Sequence, residues 1–515
     1  MCPLRTPAKP AFCISPLRAC ASLSMALDFL MVDPSQRIGT AAFSTLPAGF
    51  FAAQAPTSLP EPYLVAFNPD LAAHLDLPPG LDLVPVLAGN TLPPGIEAVA
   101  AVYAGHQFGV YVQQLGDGRA ILLGDVVNRR GERYELQLKG AGRTPFSRGA
   151  DGRAVLRSTI REYLASEAMH GLGIATTRAL AIVGSDQPVY RESIETAAVL
   201  TRLAPSHVRF GSFEYFHYRG DAQRVAQLAE FVIDTQFPAL SGLPDRHARL
   251  LDEVVDRTAR LVAAWQAQGF VHGVMNTDNM SILGLTLDYG PYGFLDHFEA
   301  ARVFNHTDHG GRYAYANQGR VALWNLHALA EALSTLIPAD RRAAALARFE
   351  PLFIATHGEL MRRKLGLAQV GVQDADLVDR LLLALQEGRV DYPAFMRGLS
   401  GFRTDDPDSR APLLALSCAP QVLDAWLDDY ARRLAGEADA HEARHARMDA
   451  INPLYVLRTH LAERAIRQAA DRRDYGEIER LRSLLARPFT PQPGADAYAA
   501  PPPDDGGALK LSCSS

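Results

Sequence analysis

The segment HGVMNTDNM, at positions 272–280, constrains the fold and the chemistry of this chain more than any other stretch. It brings an imidazole, a carboxylate and a carboxamide close together in His272, Asp278 and Asn279. The apolar stretch SILGLTL follows and ends in the triplet DYG at 288–290. Amide and carboxylate oxygens are suitable ligands for a magnesium ion on the phosphates of a nucleotide. The sequence therefore predicts a nucleotide–metal site at these two loops.

Protein kinases have a comparable loop, H-x-D-x-x-x-x-N, in which the aspartate accepts the proton of the substrate hydroxyl and the asparagine holds a metal ion. In this chain His272 and Asn279 keep the spacing, but Val274 stands at the aspartate position. A new carboxylate, Asp278, stands beside Asn279, and Asp288 follows where kinases have their second metal-binding aspartate. Retained metal ligands with a displaced base indicate a nucleotide site that is used for different chemistry.

The predicted secondary structure also has the order of a protein kinase. The segment VYVQQLGDGRAILLGDVVN (110–128) predicts a β-hairpin around a Gly-rich turn, and RYELQLK (133–139) predicts a strand by its alternation. Residues 155–173 have apolar positions at helical spacing, two strands are predicted at 180–192 and 196–203, and helical patterns dominate from about 221 to 485. We predict an α+β, protein-kinase-like bilobal fold with a small β-rich N-lobe and a large helical C-lobe.

Several residues of the predicted N-lobe suit the phosphates of a nucleotide. Gly116 and Gly118 carry no Cβ, so backbone amides at this turn can approach phosphate oxygens, and Arg119 adds a cation there. Lys139 ends a predicted strand and is expected to form an ion pair with Glu162 on the following helix, as the Lys–Glu pair of kinases does. Each signal is weak alone, but their order along the chain matches that of a kinase.

The N-lobe sequence is also unusually cationic. GAGRTPFSRGADGRAVLR (140–157) carries four arginines, and Arg202 and Arg209 follow in apolar surroundings. A partly buried guanidinium group needs an anionic partner, because an unpaired buried charge is costly. Surface charge balanced by the acids of the chain is the alternative, and a bound triphosphate is the partner that we predict.

Composition excludes several other classes of function. The net charge is −6, which argues against a general nucleic-acid-binding protein. No apolar run approaches the roughly 20 residues of a membrane-spanning helix. The five cysteines include no CxxC pair, so neither a zinc knuckle nor a disulfide scaffold is indicated. We therefore expect an intracellular protein without nucleic-acid or membrane partners.

The chain divides into five predicted segments. Residues 1–27 are a disordered leader or a mis-assigned start, and residues 28–95 are an N-terminal arm. Residues 96–220 form the nucleotide-binding N-lobe, 221–486 form the helical C-lobe with the catalytic and metal loops, and 487–515 form a flexible tail rich in Pro, Gly and Asp. The leader is basic and poor in acids, which also fits a transit peptide. The predicted location is the bacterial cytoplasm, or the mitochondrion if the leader is a genuine transit peptide.

Long motifs of the chain resemble the selenoprotein O family. They are GHQFG (105–109), QLGDGRA (114–120), LQLKGAGRTPFSRGADGRAVLRS (136–158), HGVMNTDNM (272–280), DYGPYGFLD (288–296), NQGR (317–320) and the C-terminal SCSS. The resemblance runs from about residue 28 to the last residue. The family consists of protein adenylyltransferases with a pseudokinase fold, and a bacterial uridylylating activity is also known in it.

The resemblance implies that ATP binds in an orientation flipped relative to kinases. AMP would then pass to a Ser, Thr or Tyr hydroxyl of a protein, and pyrophosphate would leave. By matching motif positions, Asp278 is the implied proton acceptor, and Asn279 and Asp288 are the implied ligands of Mg²⁺ or Mn²⁺. The implied nucleotide-binding residues are Gly116, Gly118, Arg119, Lys139, Asp151, Gly152, Arg202, Arg209 and Asp288. The protein is expected to act as a monomer.

The chain departs from the family pattern at its cysteines. Several members have a cysteine before an N-H-x-D motif that can pair with the C-terminal cysteine, but Phe304 stands there in this chain. Eukaryotic members carry selenocysteine where this chain has Cys513. A redox switch is therefore doubtful, and Cys513 would need Cys418 or another molecule as its partner.

Three alternatives remain open at the level of sequence. The segment HEARH (441–445) matches a zinc-protease signature, but its surroundings are highly charged and no third ligand is evident. A kinase that uses Asp278 as its base is the second alternative. The third is a non-catalytic nucleotide-binding scaffold, which would have no need for both Asn279 and Asp288. A protein nucleotidyltransferase explains all of these residues.

Overall fold

The computed structural model describes residues 38–77, 83–438 and 440–503. A β-rich N-terminal lobe is followed by a larger helical lobe, which confirms the predicted α+β, kinase-like bilobal fold. The predicted leader at 1–27 and the C-terminal Cys513 lie outside the described residues. No helix in the described ranges has the length and apolar character that crossing a membrane requires.

Nine strands of the N-lobe form one antiparallel sheet with the order β2-β4-β7-β8-β11-β10-β3, in which β1 also pairs with β7 and β9 with β11. The strands of the described residues are β1 (Ile38–Gly39), β2 (Phe51–Ala53), β3 (Tyr63–Phe67), β4 (Val99–Ala101), β5 (Gly105–Gln107), β6 (Val110–Val112), β7 (Ala120–Val127), β8 (Arg133–Lys139), β9 (Ala154–Val155), β10 (Arg178–Tyr190), β11 (Ile194–Ala204), β12 (Phe270–Val271) and β13 (Gly293–Phe294).

The helical lobe begins after β11 and runs to the end of the described chain. The α-helices are α1 (Pro69–His74), α2 (Val84–Leu87), α3 (Leu156–Gly171), α4 (Phe210–His217), α5 (Ala222–Gln236), α6 (Arg246–Ala267), α7 (Gln318–Ala332), α8 (Ala339–Leu346), α9 (Phe349–Lys364), α10 (Asp374–Glu387), α11 (Tyr392–Gly398), α12 (Ala411–Leu414), α13 (Pro420–Leu434), α14 (His441–Asp449), α15 (Thr459–Arg472), α16 (Gly476–Leu485) and α17 (Asp496–Ala499).

The strands and the helix that carry the predicted Lys–Glu pair form where the sequence places them. Alternation in β8 buries Leu136 and Leu138 on one face and leaves Gln137 and Lys139 on the other. Strands β10 and β11 and helix α3 are also confirmed. Each of these elements has an apolar pattern long enough to predict whether it is a strand or a helix.

The hairpin predicted across the GDGR turn is wrong. Val110–Val112 does not pair with β7 but with Gly105–Gln107, in a separate two-stranded sheet. The turn of that hairpin is formed by Phe108 and Gly109, both with positive φ (51° and 86°). Strand β7 instead pairs with β8, β4 and β1. Alternating apolar residues indicate a strand, but they do not indicate which strand is its partner.

The two ends of the described chain are built into the N-lobe. The segment predicted as an arm supplies β1, β2 and β3, which are two to five residues long and therefore carry little alternation. Helices α15 and α16 pack against α3. This approach is so close that a Cβ on Gly171 would overlap the carbonyl oxygen of Leu485. The exact limits of the five segments stay a prediction.

Candidate active site

A cleft of about 750 Å³ lies where the N-lobe sheet meets the loops that follow β12. Ten of the eleven site residues predicted from the sequence line this cleft, namely Gly116, Gly118, Arg119, Lys139, Asp151, Gly152, Arg202, Asp278, Asn279 and Asp288. The eleventh, Arg209, lies behind the wall and contacts two of them. The structure thus brings together residues that are up to 172 positions apart, from Gly116 to Asp288.

Asp288 is the centre of a buried ion-pair network. Lys139 Nζ lies 2.5 Å from Glu162 Oε2 and 3.0 Å from Asp288 Oδ1, so the predicted Lys–Glu pair is present. Arg202 contacts the same Asp288 oxygen and also lies 3.2 Å from Glu162 Oε1. Arg209 Nη1 donates to Asp288 Oδ2 over 2.7 Å. Two carboxylates and three cations therefore share one site, with a surplus of one positive charge.

The electrostatics of this network keep Asp288 ionised. Burial alone would raise the pKa of Asp288, but the charges of Arg202, Lys139 and Arg209 outweigh burial and hold this pKa well below its usual range. Asp288 also has a positive φ of 59°, which a non-glycine residue adopts only under the constraint of its surroundings. The buried guanidinium groups thus have protein carboxylates as partners, in addition to any phosphate that enters the cleft.

Asp278 has an environment that differs from that of Asp288. Its side chain is buried, and Oδ1 has no hydrogen-bond partner among the described residues. Oδ2 lies 3.4 Å from the Gln107 amide, and Arg209 donates to the backbone carbonyl of Asp278 over 2.7 Å. Burial raises the pKa of Asp278 to about 7, against the lowering effect of the Arg209 charge. Two nearby carboxylates with pKa values moved in opposite directions are typical of an acid–base site.

His272 and Asn279 fix the backbone of the catalytic loop. His272 Nε2 lies 3.0 Å from the carbonyl oxygen of Leu287, which directly precedes Asp288, and burial lowers the pKa of the His272 ring. The neutral ring can therefore donate to this carbonyl and join the two loops. Asn279 Nδ2 donates to the Val274 carbonyl over 3.0 Å. Val274 itself is buried on the wall of the cleft.

The glycines of the GDGR turn have a packing role that the sequence did not reveal. Gly116 has a φ of 90°, and a Cβ there would lie 2.5 Å from Phe146 Cγ. A Cβ on Gly118 would lie 2.9 Å from the Phe146 carbonyl oxygen. Both glycines line the cleft, but the close approach of the 144–147 segment is sufficient to require them.

Asp151 is held by an arginine that the sequence analysis missed. Arg191 donates to both Asp151 oxygens over 2.8 and 2.9 Å, and these hydrogen bonds lower the pKa of Asp151. Arg191 lines the cleft, together with Arg119. Gly152, at a φ of 72°, allows the chain to cross Gly142, where a Cβ would overlap the backbone. No local pattern marks Arg191, because it lies in the turn between two strands.

The hairpin of β5 and β6 was also missed as part of the site. Gly105 faces the catalytic loop so closely that a Cβ would lie 2.9 Å from Asp278 Oδ1. The backbone amide of His106 donates to Thr277 Oγ1 over 2.7 Å. The motif GHQFG was visible in the sequence, but nothing local linked it to residues about 170 positions away.

The histidine motifs have other contacts. His106 Nδ1 lies 2.9 Å from Glu214 Oε2, and its ring packs against neighbouring aromatic rings. His441 and His445 stack on one helix with ring centroids 5.9 Å apart. Across the described residues, no group of three or more His, Cys, Asp or Glu side chains is arranged to hold a metal ion.

The residues of the cleft fit a divalent cation that also binds phosphate oxygens. The amide nitrogen of Asn279 donates to the Val274 carbonyl, and Asn279 Oδ1 accepts no hydrogen bond from the described residues. This amide oxygen and the ionised carboxylate of Asp288 both face the cleft. They are hard oxygen ligands of the kind that Mg²⁺ prefers, and Mg²⁺ usually combines one or two protein ligands with substrate phosphates and water.

Comparison with known proteins identifies the family. The sequence model of the family described as "Protein adenylyltransferase SelO" matches residues 38–486, which includes every predicted site residue. The chain belongs to the SelO family. Membership makes it an enzyme of the protein nucleotidyltransferase class, with a nucleotide and a protein as its substrates, and it confirms the family predicted from the motifs.

Bacterial relatives match this SelO-family chain over nearly its whole length. A protein of Myxococcus xanthus named "Protein nucleotidyltransferase YdiU" is 53% identical over 477 residues, which cover 92% of this chain and 98% of the relative. A protein of the same name from Thiobacillus denitrificans is 54% identical over 479 residues, with the same coverage of both chains.

Proposed function

We propose that the enzyme transfers AMP from ATP, or UMP from UTP, to a Ser, Thr or Tyr hydroxyl of a protein and releases pyrophosphate. The observation that carries the proposal is the state of Asp278. Asp278 lines the cleft and has a buried oxygen without a hydrogen-bond partner in the described residues, and burial raises the pKa of its carboxyl to about 7. Val274, at the position of the kinase base, can accept no proton. A general base works best when its pKa is near the working pH.

In the proposed reaction, Asp278 accepts a proton and the N-lobe cations stabilise the leaving group. The acceptor hydroxyl loses its proton to Asp278 while its oxygen attacks the α-phosphorus. The bond from that phosphorus to the bridging oxygen breaks, and pyrophosphate leaves with the electron pair. Arg119, Lys139 and Arg202 on the N-lobe side can stabilise the charge that develops on the leaving group.

A flipped orientation of the nucleotide explains these two roles. Transfer from the α position requires the β- and γ-phosphates to lie on the side away from the acceptor. In this orientation the cations of the N-lobe wall would hold the β- and γ-phosphates, and Arg191, which is paired with Asp151, and Arg119 would add to them. Gly116, Gly118 and Gly152 keep the wall free of side-chain atoms, and Arg209 supports it from behind through Asp288.

Asn279 and Asp288 would hold Mg²⁺ or Mn²⁺. Such an ion neutralises phosphate charge when it is bound. Lys139 and Arg202, which line the cleft, contact the same carboxylate and would be available to the phosphates when the ion is bound, whereas Arg209 would stay behind the wall. This exchange would couple nucleotide binding to metal binding.

The test is incubation of the enzyme and acceptor proteins with ATP labelled at either the α- or the γ-phosphate. We expect label on protein only from the α position. The variant Val274→Asp restores the kinase residue and should still give no γ label, since no γ-phosphate would lie near it. Strong γ labelling by this variant would mean that ATP binds in the ordinary kinase orientation.

A further inference from the structure

The hairpin of β5 and β6 is firmly attached to the loop that carries Asp278. Besides the contact of His106 with Thr277, the backbone amide of Phe108 donates to the Tyr313 hydroxyl over 2.9 Å. Tyr313 in turn donates to the Asn276 side chain over 2.6 Å. The hairpin therefore has a defined position relative to the proposed base.

Large apolar side chains are exposed on and beside this hairpin. Thirteen large hydrophobic residues of the described chain are exposed, and four of them belong to this hairpin or lie against it. Tyr218 and Trp324 pack on the face of His106, Phe108 is in the turn, and Val110 is on the other face, beside Gln107. The Tyr111 and Tyr218 rings lie 4.3 Å apart, and His106 packs against Tyr111, Tyr218 and Trp324. We call Phe108, Val110, Tyr111, Tyr218, Trp324 and Arg312 the hairpin surface. Clustered exposed apolar side chains typically mark an interaction site.

The hairpin surface is continuous with the cleft. Gln107 lines the cleft and its amide approaches Asp278 Oδ2, while the next residue, Phe108, belongs to the hairpin surface. A polypeptide that presents a hydroxyl to Asp278 can therefore pass directly onto Phe108 and Val110.

The hairpin surface also carries an available positive charge. The Arg312 guanidinium lies over the Trp324 ring, 4.8 Å from its centroid. No carboxylate of the described residues forms an ion pair with it, and its buried Nε has no hydrogen-bond partner there. A guanidinium group stacked on an aromatic ring and lacking an anion is a suitable partner for a carboxylate of another molecule.

We propose that the hairpin surface binds the segment of the protein substrate that flanks the acceptor hydroxyl. A large apolar or aromatic side chain of this segment would pack on Val110, beside Gln107, and an acidic residue would pair with Arg312. The proposal rests on the proposed function, because it assumes that a protein hydroxyl reaches Asp278. It adds the chemistry by which the acceptor is selected.

The first experiment measures transfer from α-labelled ATP to short synthetic peptides that contain one Ser, Thr or Tyr. One set carries a Trp or Leu and an Asp near the hydroxyl, and a matched set carries Ala at both positions. We expect the wild type to prefer the first set. Val110→Asp should raise the KM for those peptides by about tenfold, as the loss of a central contact does, with kcat and the affinity for ATP unchanged.

Val372→Asp is the matched control. Val372 is also fully exposed but lies between α9 and α10, outside the hairpin surface. This variant introduces the same charge and should leave the KM for every peptide unchanged. An equal rise of KM in both variants would show a nonspecific effect of charge and would overturn the proposal.

A charge reversal tests the role of Arg312. Arg312→Glu should shift the preference from peptides with Asp to peptides with Lys, because the introduced carboxylate repels Asp and attracts Lys. An unchanged preference contradicts the assigned carboxylate contact. Loss of all transfer with normal ATP binding, without the shift, would also contradict it.

Two further outcomes separate this proposal from others. If the wild type is a dimer in sedimentation and Val110→Asp is a monomer, the hairpin surface is an interface between copies of this chain and the proposal is wrong. It is also wrong if folded proteins are labelled but no peptide is, since the proposed occupant is a linear segment. Absence of α label on every acceptor would instead contradict the proposed function itself.

Discussion

Replacing Asp278 by asparagine should make the enzyme inactive and, at the same time, more stable at alkaline pH. The carboxyl is buried, and burial raises its pKa from the usual 3.8 to about 7 in the folded protein. The folded state therefore binds this proton more tightly than the unfolded state does. Linkage gives the effect of this shift on stability. Above about pH 7, ionisation of Asp278 lowers the free energy of unfolding by roughly 4 kcal/mol, and this loss disappears as the pH falls towards 4.

The variant removes this cost because asparagine does not ionise. From about pH 5.5 to about pH 8.5, the free energy of unfolding of Asp278→Asn relative to the wild type should increase by about 2 kcal/mol. Other titrating groups affect both proteins equally and cancel in the difference. Denaturant unfolding in the presence of a chelator, without nucleotide, measures this difference for the metal-free protein.

The same substitution should lower the rate of AMP transfer although it raises stability. Loss of a general base lowers a rate by about 10²–10⁴-fold, while ATP should still bind because Asp278 contacts none of the N-lobe cations through its side chain. A stability difference that is constant with pH would refute the buried, high-pKa state of Asp278. Wild-type rates of AMP transfer in the variant would refute its role as the base.

Three other substitutions test the packing around the site and in the C-lobe. Asp288→Ala should abolish transfer and destabilise the fold by about 3–5 kcal/mol, because three cations lose their shared carboxylate. Calorimetric titration with ATP and Mg²⁺ measures the effect on the nucleotide site, and denaturant unfolding measures the effect on stability. Gly171→Ala should lower the free energy of unfolding by about 1–3 kcal/mol, because its Cβ meets the Leu485 carbonyl. The control is Gly358→Ala, on an exposed helix position with open space around it, which should raise the free energy of unfolding by about 0.5–1 kcal/mol. The same thermal unfolding assay measures both. Burial lowers the pKa of Lys364 to about 7, so Lys364→Met should be more stable than the wild type near pH 7. This gain should shrink as the pH approaches 10, because the amine of the unfolded wild type then also loses its proton. A gain that stayed constant in an unfolding series over that range would contradict the prediction.

The sequence by itself determined the elements that have long periodic patterns and the residue types of the site. Helix α3, strands β8, β10 and β11, and the pairing of Lys139 with Glu162 follow from local spacing together with the order of a kinase. The proposed displacement of the base also rests on the sequence, since Val274 and Asp278 are read directly from the segment at 272–280. These features are encoded within segments of about 20 residues or fewer, where local physics dominates.

The tertiary structure alone decided which distant segments meet. Short strands with little alternation, such as β1 and β3, join the sheet because the longer strands β7 and β10 offer them an edge, and β2 joins it through the equally short β4. The contact of Gln107 with Asp278 and the pairing of Arg191 with Asp151 depend on approaches across 171 and 40 residues. The acid–base character of the two aspartates depends on the same approaches. Asp278 and Asp288 are the same residue type in neighbouring loops. Burial without an ion pair raises the pKa of Asp278, whereas burial among three cations lowers the pKa of Asp288.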